Sequence, residues 1–196
     1  AAGPTVSEQW GVPARSVDFY DVKSDLEALV APAQAEFSPC EHPALHPGRC
    51  ASVRLGGREV GVIGELHPSW VQRYDLGSAP VVFEVCLDAL LGTELPVYRP
   101  VSRQPAVVRD IALLIDQIVP VGSVIEVLKS AAEPTVQSIE LFDVYQGKGI
   151  AADKKSLAFR ILMQDTQRTL EDAEVDRAVS ALVNAAESRF GAKLRG

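Results

Sequence analysis

The sequence predicts an α+β protein whose second half is a ferredoxin-like βαββαβ sandwich. Three observations carry this expectation. Leu157, Phe159, Ile161 and Met163 alternate with Ser156, Ala158, Arg160 and Leu162, the period of two of a half-buried strand. From Val107 onward, strand-like and helix-like stretches follow one another as β-α-β-β-α-β, the split ferredoxin order. Between Gly147 and Thr169 lie five basic residues (Lys148, Lys154, Lys155, Arg160 and Arg168) against Asp153 and Asp165. In a chain of net charge −7, that local excess is where an anionic partner is expected.

The chain of 196 residues has room for one large or two small domains, and 47% hydrophobic residues is ordinary for a globular protein. No apolar run approaches the roughly 20 residues of a membrane span. The start lacks the basic and apolar regions of a secretory signal, and three cysteines without scaffold spacing predict reduced thiols in a cytoplasmic protein. A start at Ala1 without methionine predicts a piece of a longer chain. Before Pro100 there are 7 basic and 13 acidic residues, and from there on 12 and 13. Whole-surface binding of nucleic acid is therefore not expected, and any local contact falls to the second half.

In the first half, residues 1–15 read as an irregular or strand-like entry. Asp18 is expected to cap a helix with Val22, Leu26, Leu29 and Val30 on one face, stopped by Pro32. Residues 37–48, rich in Pro and His, read as a loop. Val53–Leu55 and Arg58–Ile63 flank Gly56-Gly57, a hairpin signal. His67-Pro68 opens a short helix to Tyr74, and Val81–Val85 reads as a buried strand. Cys40, His42, His46 and Cys50 are four possible zinc ligands within eleven residues, but they lack the paired Cys-x-x-Cys knuckle of common structural sites. The competing reading is a proline-shaped loop with exposed or hydrogen-bonded histidines. Glu65 and Glu84 read as strand-borne salt-bridge partners. No P-loop, nucleophile elbow or HExxH motif occurs, so no catalytic residues are expected.

Leu95-Pro96-Val97-Tyr98-Arg99-Pro100 reads as the boundary between domains 1–98 and 99–196. Val107–Ile115 is expected as a strand. Ser123 and Glu126 then form a capping box for a helix bearing Val124, Val127, Leu128 and Ala131, ended by Pro134. Strands follow over 136–145 and 156–164. Thr169 with Asp172 reads as a second capping box, for a helix from Leu170 to Phe190 with Val175, Val179, Leu182, Ala186 and Phe190 inward and Gly191 as its C-terminal cap. Residues 192–195 make a short last strand.

With helices on one face of the sheet, the other face is free to meet single-stranded bases. Alternation sets Ser138, Glu140 and Phe142 opposite Ile139 and Leu141, so Phe142 reads either as an open-face ring or as core. Asp110, Ala112, Ala158 and Arg160 share the open face by the same count. A base stacked on such a ring is worth roughly 1–3 kcal/mol. Lys154 and Lys155 read either as a phosphate-binding pair or as a solvated turn, and Arg168 as a contact or as a neutraliser of nearby acids.

The stretches FDVYQGKG (142–149), KSLAFR (155–160), QRTL (167–170) and Glu174-Val175 resemble the C-terminal anticodon-binding domain of the bacterial phenylalanine–tRNA ligase beta subunit. FYDVK (19–23), HPGR (46–49), GVIGELHP (61–68) and FEV (83–85) resemble the end of the class II synthetase-like antiparallel α+β module in the same family. The resemblance implies an inactive module packing against the catalytic alpha subunit, followed by a ferredoxin-like domain that binds the tRNA anticodon stem-loop. It implies an ATP- and magnesium-dependent parent ligase of two alpha and two beta subunits in the cytoplasm. The RNA-binding residues it suggests are Phe142 for stacking, Arg160, Lys154, Lys155 and Arg168 for phosphate or base contacts, and Asp110 and Ser156. The alternative of a different class is a protein–protein interaction module without an RNA role. Steep salt dependence would distinguish RNA contacts from an apolar protein interface.

Overall fold

The computed structural model describes residues 1–91, 98 and 101–195. The expected boundary, apart from Tyr98, lies outside the described residues. The chain forms two compact units, Ala1–Val97 and Tyr98–Gly196.

In the first unit, helix α1 (Phe19–Val30) begins where the Asp18 side chain accepts the N–H groups of Tyr20 and Asp21. Val22, Leu26 and Val30 turn inward, whereas Leu29 is 54% exposed and leaves the expected stripe. Its position just beyond the buried arc puts its side chain in solvent. The antiparallel sheet has the order β1-β2-β3-β4, formed by Ala35–Pro39, Leu45–Leu55, Arg58–Leu66 and Val81–Val85. Gly56 and Gly57, both with positive φ, make the β2–β3 hairpin turn. Helix α2 (Pro68–Arg73) enters through His67, whose ring accepts the Ser69 N–H, and α3 (Leu87–Leu91) follows β4.

Residues 37–48 differ from the expected loop: β1 occupies their start, and β2 already runs at His46. Between Leu45 and Cys50 the pairing with β3 shifts register, and this excursion accommodates Pro47 and Gly48. β4 is also less buried than expected. It is an edge strand, and only Val81 is fully covered. The core gathers Val22, Leu26, Val30, Val53, Val60, Ile63 and Val81. Gly61 lies so close to β4 that a Cβ there would run into the Glu84 carbonyl and the Val85 Cα.

The second unit is β5 (Val107–Asp116), α4 (Val121–Ala131), β6 (Val136–Tyr145), β7 (Lys154–Met163), α5 (Asp172–Phe190) and β8 (Lys193–Leu194). The sheet order β6-β7-β5-β8 is antiparallel at every pairing. Odd-numbered residues of β5 and β7 (Leu113, Ile115, Leu157, Phe159, Ile161 and Met163) meet Val124 and Leu128 of α4 and Val175, Leu182 and Ala186 of α5 in one core. The expected α+β ferredoxin-like fold is the observed one.

Two caps differ from expectation. Pro120 is the N-cap of α4, so Ser123 falls inside the first turn and caps nothing. Helix α5 starts at Asp172 with Glu171 as N-cap, and the Glu174 side chain accepts the Glu171 N–H at 3.1 Å. Thr169 instead meets the Gln104 side-chain oxygen at 3.3 Å. An acidic residue three positions on satisfies both 169/172 and 171/174, and the tertiary partner of Thr169 selects the later start. Gly191 closes α5 in the left-handed conformation, as expected.

Candidate nucleic-acid interface

The helices leave one face of the second sheet uncovered, and the strand register orders the side chains on it. One row across β6, β7 and β5 reads Glu140–Arg160–Asp110, the next Asp143–Ala158–Ala112, and the third Tyr145–Ser156–Leu114. Between the first two rows β6 carries an extra residue: Leu141 pairs with Phe159 and Asp143 with Ala158, so Phe142 is the bulged position. Phe142 is 51% exposed and therefore outside the core.

Arg160 joins this ring to the sheet. Its guanidinium donates from Nε and Nη2 to Asp110 Oδ1 and Oδ2 at 3.0 and 2.8 Å, and lies 5.0 Å from the Phe142 ring centroid. The hydrogen bond to Arg160 holds the Asp110 carboxyl below its usual range, and the same bond raises Arg160. The result is a planar cation over an exposed ring, and a base stacks on that ring face by displacing the guanidinium.

A second such pair crosses the same face. Arg195 donates its backbone N–H to Ala112 O at 2.8 Å, and its guanidinium reaches to 5.5 Å from the Tyr145 ring centroid. Tyr145 donates its hydroxyl to Lys148 O at 3.1 Å. A Cβ on Gly147 would lie 3.0 Å from that hydroxyl, so the glycine gives the tyrosine room. Ser156, opposite Tyr145, is buried. Asp143 stays exposed in the row between the two arginine–aromatic pairs. The face thus offers two rings, two guanidiniums and carboxylates able to accept from base amino groups.

The remaining candidates separate from this centre. Lys154 pairs with Asp116 at 2.5 Å, at the far end of β7. Lys155 is only 8% exposed, and its Nζ donates to the carbonyls of Gln117 and Val119 at 3.0 and 2.6 Å. Burial lowers its pKa, and its role here is to close the β5–α4 loop. Arg168 lies beyond the opposite end of β7, about 30 Å from Lys154 along the strand. It is bound in a fork to Glu174 at 2.7 and 2.5 Å. That fork is the main reason the Glu174 carboxyl falls to about 2. The basic cluster of the sequence is therefore not one patch.

Sequence counting missed Tyr145 and Arg195. Strict alternation puts Tyr145 on the core side with Ile139 and Leu141, and the bulge at Phe142 reverses that. Nothing local signals Arg195, whose partner is 50 positions away.

Of the possible zinc ligands of the first unit, Cys40 and Cys50 meet, with their sulfurs 3.1 Å apart, but the four do not gather into a metal site. Among the described residues, no group of three or more His, Cys, Asp or Glu side chains is arranged to hold a metal ion. His42 Nδ1 accepts the Ala44 N–H at 3.3 Å, and the buried His46 Nδ1 has no hydrogen-bond partner. Glu65 takes the expected salt-bridge role, with Arg49 at 2.6 Å. Among the described residues, no helix is long and apolar enough to cross a membrane.

Comparison with known proteins agrees with this architecture. Residues 102–195 match the family model described as the ferredoxin-fold anticodon binding domain. Residues 1–87 match the phenylalanyl tRNA synthetase beta chain CLM domain. The chain is 61% identical over 196 residues to the phenylalanine–tRNA ligase beta subunit of Aromatoleum aromaticum, covering all of this chain and 25% of that protein. It is 54% identical over 195 residues to the protein of that name from Dechloromonas aromatica, again covering all of this chain and 25% of the relative. For the one from Nitrosospira multiformis the figures are 48% over 193 residues, 98% and 24%. The chain spans about a quarter of the length of the curated relatives it matches. By its two matched domains and its full-length similarity, the chain belongs to the phenylalanine–tRNA ligase beta subunit family.

Proposed function

We propose that the chain is the C-terminal part of a phenylalanine–tRNA ligase beta subunit and that its second unit binds the anticodon region of tRNA through the open sheet face. Residues 1–98 would close the inactive synthetase-like module and support the alpha subunit, and residues 99–196 would be the anticodon-binding domain. The carrying observation is the uncovered face with Phe142 under Arg160 and Tyr145 under Arg195, in a stretch matched to an anticodon-binding family. Bases stack on the two rings. Asp110 and Asp143 stand beside them as hydrogen-bonding groups, Lys154 and Arg168 lie at the two ends for phosphates, and Ser156, buried beneath the face, drops out of the contact set. Lys155, held by two carbonyls, drops out of the proposed contact set.

The parent ligase joins phenylalanine to tRNA with ATP and magnesium, working in the cytoplasm as two alpha and two beta subunits. The described residues gather no donor set for a metal ion. In this reading the contribution of the chain is to position the tRNA.

The test uses the beta subunit assembled with its alpha subunit. Phe142→Ala and Tyr145→Ala should raise the KM for tRNA and weaken binding of a fluorescent anticodon stem-loop, with phenylalanine-dependent ATP–pyrophosphate exchange unchanged. Stem-loop binding should fall steeply with salt and exceed that of an unrelated stem-loop. Equal binding of both stem-loops, or unaltered tRNA KM in both variants, would reject the reading and favour a protein-docking role for this face.

A further inference from the structure

We infer that Cys40 and Cys50 form a redox-modification site, a reduced dithiol that an oxidant of the peroxide class converts to an intramolecular disulfide. Their sulfurs are 3.1 Å apart, and all three cysteines of the chain are free thiols. The backbone supports the pairing. Pro39 pairs with Ala51, and the Cys40 N–H donates to Cys50 O at 3.3 Å, so Cys40, the residue after the end of β1, faces Cys50 of β2. Directly opposed, hydrogen-bonded residues of an antiparallel pair have Cα atoms about 5.5 Å apart, inside the range that a disulfide spans. The link needs no rearrangement of the strands.

The two thiols are not equivalent, and this orders the chemistry. Cys40 is partly exposed, while Cys50 is buried. Burial pushes the Cys50 thiol up to about 12, with the Cys40 hydrogen bond adding to the effect. Cys50 therefore stays protonated and sheltered at neutral pH, and peroxide meets Cys40 first. The Cys40 sulfur attacks one peroxide oxygen, the O–O bond breaks, and a sulfenic acid and one water result. The Cys50 sulfur then attacks the Cys40 sulfur, the S–O bond breaks, and the hydroxyl leaves with the Cys50 proton as a second water. Two thiols are oxidised by loss of two hydrogens, and one peroxide is reduced to two waters. A dithiol reverses the step by exchange.

The linked loop holds the turn between β1 and β2. Leu45 N–H donates to His42 O in that turn, and its Ala44 carbonyl accepts the His67 N–H at the entry to α2. Oxidation would stiffen this corner of the first unit. Cys86, exposed and outside the pair, is a built-in comparison.

The test treats the Cys86→Ser chain with hydrogen peroxide, quenches by acid, alkylates under denaturing conditions and maps the peptides by mass spectrometry. The expected result is a Cys40–Cys50 linked peptide on a monomeric chain, with the mass of two hydrogens lost and restored by dithiothreitol. Formation should be at least about tenfold faster in the folded chain than in urea, because the fold holds the sulfurs together. In Cys86→Ser with Cys50→Ala, dimedone should label Cys40 and no intramolecular link should form. Two free thiols, a Cys40 sulfenic or sulfinic acid beside free Cys50, links only between chains, or equal rates in urea and buffer would each overturn the inference.

Discussion

Replacing Phe142 by alanine separates a binding ring from a core ring. Phe142 is half-exposed at a bulge and belongs to neither buried core. Its removal forfeits the Arg160 stack, about 0.5–1 kcal/mol at an exposed site. Folding stability should therefore fall by no more than about 1 kcal/mol in urea unfolding. Phe159→Ala is the internal comparison. That ring is 0% exposed, and its loss should cost about 3–5 kcal/mol. The effect on RNA is of a different kind. A base stacked on an aromatic ring is worth about 1–3 kcal/mol. In the free protein, however, Arg160 already lies over Phe142. Displacing it takes back about 0.5–1 kcal/mol, so that mid-range values leave about 1.2 kcal/mol. That corresponds to a loss of about eightfold in Kd. Fluorescence anisotropy with the anticodon stem-loop at fixed salt reads this directly. An unchanged Kd in a folded Phe142→Ala protein would refute the stacking argument. A stability loss as large as that of Phe159→Ala would refute its placement outside the core.

Three further perturbations test other parts of the structure. Lys155→Met should destabilise the second unit by about 1–3 kcal/mol, because the Gln117 and Val119 carbonyls lose a buried charged donor, while the salt slope of RNA binding stays the same. Glu174 has its folded pKa depressed from 4.5 to about 2, chiefly by the Arg168 hydrogen bond. Its favourable contribution is therefore fully present above about pH 4.5 and lost as pH falls towards 2. Carboxyl NMR titration should show this, and Arg168→Ala should move the midpoint back up. Gly61→Ala should lower the thermal midpoint of the first unit or separate β4 from β3, since the new Cβ meets the Glu84 carbonyl and the Val85 backbone; hydrogen exchange at Val62 and Glu84 reads the separation.

Local chemistry in the sequence determined much of the fold. The alternation in 156–163 marks the central strand, Gly56-Gly57 makes the hairpin, Asp18 caps α1 and Gly191 ends α5. Each signal is complete within a few residues, because strand period, turn conformation and capping depend on near neighbours. Phe142, Arg160 and Asp110 were also legible as one face, since an unbroken alternation brings them together up to the bulge.

The tertiary structure alone decided the rest. The bulge at Phe142 carries Tyr145 to the open face, and alternation has no means of counting an inserted residue. Partners far away in the chain withdraw Lys155 into a loop, bind Asp110 to Arg160 and bring Arg195 over Tyr145. The excursion in β2 turns an apparent histidine loop into a strand that sets Cys50 opposite Cys40. In each case, side chains of known chemistry acquire their role from a strand register or a long-range partner, and neither is encoded within one turn or one strand.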